Sequence, residues 1–77
     1  MKKFYQVYGS WKPCPSGGWF AVSQENFATK QEAETEIVRI GSQETIQVCS
    51  GAYPTSEIAL WAQGFTERDG TIWMELT

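Results

Sequence analysis

Apolar and polar side chains alternate along the first part of the chain. Residues 4–11 are rich in aromatic and β-branched side chains, which fit a pleated strand. Period two assigns Phe4, Gln6, Tyr8 and Ser10 to one face and Tyr5, Val7, Gly9 and Trp11 to the other. Prolines and glycines in residues 13–18 end this strand, because proline cannot donate to a ladder. Residues 19–24 are then predicted as a second, antiparallel strand.

Residues 29–41 carry the clearest local signal, and it is helical. Thr29 and Glu32 have the spacing of a capping box, in which the threonine hydroxyl accepts from the glutamate amide and the glutamate reaches back to the threonine amide. An apolar stripe follows at helical spacing and consists of Ala33, Ile37, Val38 and Ile40. Gly41 stands where a left-handed residue ends many helices. The pattern predicts a helix over 30–40.

The second half of the chain reads as strands and turns. Residues 45–50 alternate like a half-buried strand, and residues 51–56 are predicted to be a loop broken by Pro54. The Asp-Gly dipeptide at 69–70 predicts a tight type I′ turn before a strand that starts at residue 71. Residues 58–65 form the matching strand, or Ser56 caps a short helix that ends at Gly64; the turn favours the strand. The sequence therefore predicts one α+β domain over residues 1–77.

Its expected architecture has the order ββαβββ. An antiparallel or mixed sheet of four to five strands carries the single helix on one face. A helix of eleven residues is about 16 Å long, so it covers only part of that face.

Aromatic side chains make up 14% of the sequence and occur on both faces of the first predicted strand. Some of them should therefore face water or a partner, and exposed Trp and Tyr are frequent in binding hot spots. The predicted binding residues are Phe4, Tyr8, Trp11, Lys12, Trp61 and Trp73, together with the loop over 12–18. The alternative, in which the rings fill the core of a small domain, stays open.

Composition argues against an enzyme. The chain contains no histidine, which removes the usual general base and imidazole metal ligands. Cys14 and Cys49 alone cannot complete a four-ligand zinc site, and no phosphate-binding, dinucleotide-binding or calcium-loop motif occurs. No catalytic residue, metal or cofactor is predicted.

Charge and hydropathy restrict the expected class of partner and the expected cellular location. Six basic and nine acidic residues give a net charge of −3, which disfavours nucleic acid as a partner because phosphate binding depends on Lys and Arg. No apolar run approaches the roughly 18 residues of a membrane span. The N-terminal residues do not read as a signal peptide, so we expect a cytoplasmic protein. A reducing compartment favours free thiols at Cys14 and Cys49, and a disulfide between them stays open as the alternative.

Residues 27–33 read F-x-T-K-x-E-A, which resembles the start of the helix in the strand-strand-strand-helix arm-binding domains of phage integrases. The resemblance spans seven residues and consists mainly of the capping box. Those domains use basic strands on DNA, whereas residues 19–24 contain no Lys or Arg, so no DNA-binding function is transferred.

These observations favour a non-enzymatic protein-binding module. We expect a small regulator or inhibitor that occupies the surface of a larger protein through an aromatic sheet face. By analogy of size and chemistry, proteins from phages and mobile elements that block host defence, anti-CRISPR proteins included, are of this kind. Two alternatives stay open: an accessory domain that stacks unpaired bases on its aromatics, and a homodimer closed by the uncovered face.

Overall fold

A computed structural model describes residues 2–12, 18–48 and 51–75 and confirms the α+β fold with one helix. The elements are β1 (Lys2–Trp11), β2 (Trp19–Ala21), α1 (Lys30–Gly41), β3 (Thr45–Val48), β4 (Gly51–Pro54), β5 (Ile58–Arg68) and β6 (Thr71–Met74). Predictions for Cys14, Cys49 and the loop over 13–17 lie outside the described residues, as does the end of the strand predicted over 45–50.

The main sheet has four antiparallel strands in the order β2-β1-β5-β6. Its centre is the long pairing of β1 with β5, which runs from Lys2 opposite Glu67 to Trp11 opposite Ile58. Residues 58–65 are therefore a strand, as the tight turn at 69–70 required. At that turn Asp69 and Gly70 have φ of 54° and 79°, the positive values of a type I′ hairpin.

Residues 51–54 contradict the sequence prediction, because they form a strand and not a loop. β4 pairs with β3 in a separate two-stranded sheet, with Ile46 opposite Tyr53 and Thr45 opposite Pro54. Pro54 occupies the last position of β4, where a strand tolerates a residue without an amide hydrogen. Thr55–Glu57 then form one 3-10 turn before β5.

The helix begins where the capping box predicts. The hydroxyl of Thr29 accepts from the amide of Glu32 at 3.2 Å, and Thr29 has extended backbone angles. The reciprocal bond differs from the prediction, since the Thr29 hydroxyl also donates to Oε1 of Glu32 at 3.1 Å. The carboxylate therefore binds the capping hydroxyl instead of the Thr29 amide.

The helix ends without the predicted left-handed glycine. Gly41 is the last helical residue, and the right-handed Ser42 donates its amide to the carbonyls of Val38 and Arg39. Val38 also departs from the predicted stripe, because it is 73% exposed. At 100° per residue it lies about 140° around the helix from Ala33, which is fully buried.

The core lies between the main sheet and a lid made of both α1 and the β3–β4 hairpin. Its buried centre consists of Val7, Ile40, Ile46, Val48 and Ile58, surrounded by Trp11, Phe20, Val22, Phe27, Ile37 and Leu60. The hairpin thus contributes two buried side chains that a helix alone would not supply. Both parts of the lid lie on the same side of the sheet.

Gly9 marks the tightest point of this core, and we predict that Gly9→Ala destabilises the fold by about 1–3 kcal/mol. A Cβ there would lie 3.0 Å from Cγ2 of both Ile58 and Val22 and 3.1 Å from the ring of Phe20. Urea unfolding followed by tryptophan fluorescence measures the change. Gly41→Ala is the control, because a Cβ at Gly41 meets nothing within 4 Å. Equal stability of Gly9→Ala and wild type would contradict this packing.

Candidate binding surface

The side of the main sheet opposite α1, here called the open face, collects alternate residues of all four strands. It consists of Lys2, Phe4, Gln6, Tyr8 and Ser10 from β1, Trp19 and Ala21 from β2, Ala59, Trp61, Gln63, Phe65 and Glu67 from β5, and Ile72 and Met74 from β6. The predicted division of β1 into two faces is therefore confirmed. Within the described ranges, no helix or second sheet packs on the open face.

Five rings form a continuous aromatic row across the open face. Phe4 stacks on Phe65 with ring centroids 5.3 Å apart and planes at 14°. Tyr8 links this pair to Trp61, with centroid distances of 5.7 Å to Phe65 and 6.3 Å to Trp61. Trp19 completes the row edge-on against Trp61 at 5.3 Å. The row therefore joins β2, β1 and β5 on one surface.

Small side chains make the last of these contacts possible. Trp19 lies on β2 and Trp61 on β5, so one strand separates them and their backbones are about 10 Å apart. Ser10 lies directly opposite Trp19 on that intervening strand, and Ala59 lies opposite Ser10. Because neither small side chain fills the space, the two indoles lean towards each other above β1.

Burial divides the open face into two parts. Phe4 and Phe65 are 9% and 7% exposed, so their stack is a small core in its own right. Tyr8 and Trp61 are half-buried, whereas Trp19 is 52% exposed, and on β6 Ile72 is 57% exposed. Met74 on β6 is also exposed. The accessible apolar surface thus lies at the two edges of the face, with the stack between them.

Gln63 holds the middle of the open face in place. Its side chain is buried, accepts the indole N–H of Trp61 at 3.0 Å, and donates to the carbonyls of Gly64 at 3.1 Å and Glu75 at 2.5 Å. Each polar atom of this amide therefore has a partner. The bond to Trp61 fixes the orientation of the indole before anything binds.

The charges of the open face cancel, because Lys2 and Glu67 lie directly opposite each other on β1 and β5. On the helix side, Glu75 accepts from the hydroxyl of Thr66 at 2.7 Å and lies 3.3 Å from Nζ of Lys3. The Thr66 hydrogen bond, assisted by Lys3, lowers the pKa of Glu75 below its ordinary value. These contacts connect the end of β6 to β5 and β1.

The structure separates the predicted binding residues. Phe4, Tyr8 and Trp61 lie together on the open face, although Phe4 is buried in the stack. Trp11 lies on the opposite side, where its ring contacts Phe20 at 5.5 Å and Tyr53 at 4.8 Å. Trp11 is therefore part of the core below the lid.

The other two predicted residues also lie away from the aromatic row. Trp73 is on the helix side of β6, beyond the reach of α1, and is 61% exposed. Lys12 follows β1 and borders a groove of about 710 Å³ between the end of α1 and the 3-10 turn. Neither residue contributes to the open face.

Sequence analysis did not select Trp19, Phe65, Ile72 or Met74 as binding residues. For Trp19 a signal was present: Phe20 and Val22 alternate as the apolar pair that faces the core, which leaves Trp19 on the other side. Phe65 could not be assigned without the register of β1 and β5, which places it opposite Phe4.

Among the described residues, no group of three or more His, Cys, Asp and Glu side chains could hold a metal ion. The single helix there is too short and too polar to cross a membrane. In comparisons with known proteins, no protein-family model, curated protein or solved structure matches the chain.

The difference in burial predicts that two aromatic substitutions change stability by different amounts. Phe65→Ala should destabilise the fold by about 3–4 kcal/mol, because it empties a buried stack. Trp19→Ala should change the free energy of unfolding by about 1 kcal/mol or less, since it removes one edge-on contact and a half-exposed ring. Urea titration of both variants tests this. Equal losses would mean that the whole row is core.

The Glu75 contacts predict a defined pH dependence. Because the folded pKa lies below the ordinary glutamate value of about 4.3, the carboxylate stabilises the fold above that pH and loses the effect as pH falls through the folded pKa. Glu75→Gln should therefore reduce the loss of stability between pH 6 and pH 3, as measured by urea unfolding. Glu34→Gln, at an exposed helix position, is the matched control. Identical pH profiles for wild type and Glu75→Gln would contradict the assignment.

Proposed function

We propose that this chain is a non-enzymatic protein-binding module that attaches to a larger protein through the open face. The observation that carries the proposal is the aromatic row, which ends in the half-exposed Trp19 on a sheet face that no described element covers. Clustered exposed apolar side chains on a small protein are typical of an interface.

Preorganisation supports this proposal. The indole of Trp61 is held by Gln63, and the indole of Trp19 rests edge-on against Trp61. Two large side chains are therefore already ordered in the free protein, and a partner would lose little additional side-chain entropy in binding them. Such rigid aromatic anchors supply much of the binding free energy in protein interfaces.

The neutrality of the open face favours a protein over a nucleic acid. The opposed charges of Lys2 and Glu67 leave no excess of cations to replace the counterions of a phosphate backbone. Aromatic side chains and methionine are enriched at protein interfaces, and the open face carries five aromatic rings and Met74. Its charged residues Lys2 and Glu67 lie together near one end of β1 and β5.

In its finer form, the proposal describes a cytoplasmic regulator or inhibitor that acts by covering the surface of its target. A role in blocking host defence, as for phage or mobile-element inhibitors, extends the proposal by analogy of size and chemistry. The chain contains no histidine, the usual general base near neutral pH.

Affinity capture with matched variants tests the open face. Immobilised wild type, Trp19→Ala and Trp73→Ala are incubated with lysate of the source cells, and retained proteins are identified by mass spectrometry. We expect a partner retained by wild type and Trp73→Ala but lost with Trp19→Ala, because Trp73 is an equally exposed indole on the other side of the sheet.

Calorimetry on the purified partner then gives the magnitude. Trp19→Ala should weaken binding by more than about 2 kcal/mol, the size of a hot-spot effect, while Trp73→Ala stays near wild type. A partner whose affinity is unchanged by Trp19→Ala contradicts the proposal. If the captured partner is a nucleic acid, and its affinity for the chain falls steeply as salt rises, the result supports the base-stacking alternative instead.

A further inference from the structure

β6 is the outermost strand of the main sheet, and its four residues are all exposed. Its side chains Ile72 and Trp73 are more than half exposed, on opposite faces of the strand. Natural edge strands usually discourage pairing with lysine, proline or a bulge, and Thr71–Met74 contains neither residue type. This edge therefore lacks the usual protection against strand pairing.

The register of the hairpin fixes which backbone groups of β6 are free. A two-residue turn makes Arg68 and Thr71 a hydrogen-bonded pair, and the pattern then alternates along the strand. The amide of Glu75 donates to the carbonyl of Gly64 at 2.9 Å, in the phase that this alternation requires. The N–H and C=O groups of Ile72 and Met74 consequently point away from β5.

We propose that β6 pairs antiparallel with β6 of a second copy of this chain, with Trp73 opposite Trp73 at the two-fold axis. A two-fold axis normal to the sheet leaves the open face of both copies on the same side of the joined sheet. Residues paired across the axis must therefore belong to the same face, so their residue numbers have an even sum. Pairing Ile72 with Met74 of the second copy satisfies this condition. In this register every outward-pointing N–H and C=O group of Ile72 and Met74 forms a hydrogen bond with the other copy, which gives four hydrogen bonds in all. A register centred on Ile72 would instead place Met74 opposite the turn residue Gly70.

Side chains along this register are complementary. Trp73 meets its copy at a non-hydrogen-bonded position, where opposed side chains pack most closely. A groove of about 410 Å³ beside it, lined by Thr66, Arg68, Asp69, Thr71 and Trp73, offers room for the second indole. Thr71 lies opposite Glu75 of the second copy, so Arg68 and that glutamate lie on the same side of the joined sheet with one strand between them.

Charge permits pairing with a second copy, because this register opposes no like charges over residues 71–75. Lys3 and Thr66 both contact Oε1 of Glu75, and among the described residues Arg68 has no ion-pair partner within 4.0 Å. The pairing leaves Trp19 free at the far edge of each sheet. Because Trp19 and β6 lie at opposite edges of the sheet, Trp19→Ala tests the proposed function and Ile72→Pro tests the pairing, so the two failures can be distinguished.

Sedimentation velocity tests the dimer. A four-residue edge buries less than the roughly 1,200–2,000 Å² of a stable interface, so we expect a reversible dimer that forms at about 100 µM and above. Ile72→Pro should weaken dimerisation at least about tenfold, because it removes an outward donor without breaking a bond to β5. Ile72→Lys should do the same by charge repulsion across the edge. Val38→Lys, at an exposed helix position, should dimerise like wild type.

Disulfide trapping tests the register. In a background with Cys14→Ser and Cys49→Ser, Trp73→Cys should crosslink on mild oxidation, because directly opposed residues have Cα atoms about 4.5 Å apart, within disulfide range. Ile72→Cys should not, because its nearest copy lies diagonally at about 7–8 Å.

Far-ultraviolet circular dichroism confirms the fold of each variant before these comparisons. A wild-type monomer up to 1 mM overturns the proposal. The proposal is also overturned if Ile72→Pro and Ile72→Lys dimerise like wild type, because the interface then lies elsewhere. The same holds if Ile72→Cys crosslinks and Trp73→Cys does not. Loss of open-face binding with Trp19→Ala would leave this result unaffected.

Discussion

The pairing of β1 with β5 is the constraint on which the rest of the structure depends. This register places Val7 opposite Ala62 and Trp11 opposite Ile58 on the core side of the sheet, and Phe4 opposite Phe65 on the other side. A shift by one residue would exchange the two sides of β1 and bring Tyr8 and Phe4 under the helix. Gly9 belongs to the same constraint, because only a residue without a side chain lets the flanking core groups meet across β1.

Aromatic residues perform two separate tasks in this small chain. On the helix side, Trp11 with Phe20 and Tyr53 fills the space between the sheet and the β3–β4 hairpin. On the open face, Phe4 and Phe65 form a second, buried apolar cluster. Trp19, at the end of the same aromatic row, is accessible. A chain segment of 77 residues has little interior, so large rings on both sides of one sheet give each side its own packing.

Local chemistry was sufficient to predict the elements with strong signals. The helix start at Thr29 and the hairpin at Asp69 and Gly70 depend on neighbouring residues alone, and both were predicted correctly. The strand at Gly51–Pro54 was missed because glycine and proline have low strand propensity, and only its pairing with β3 creates it. The grouping of Tyr8 and Trp61 with Trp19 depends on the strand order β2-β1-β5, which no local pattern contains.

One buried amide joins two parts of the molecule that the sequence keeps apart. The side chain of Gln63 accepts a hydrogen bond from the indole N–H of Trp61 and donates one to the carbonyl of Glu75, just past β6. Any event that turns this amide must release both groups, so fraying of the C-terminal strand and reorientation of the indole share a single opening reaction. By thermodynamic reciprocity, a molecule that binds Trp61 in this orientation also lowers the population of the detached strand, and anchoring the strand stabilises this orientation of the indole.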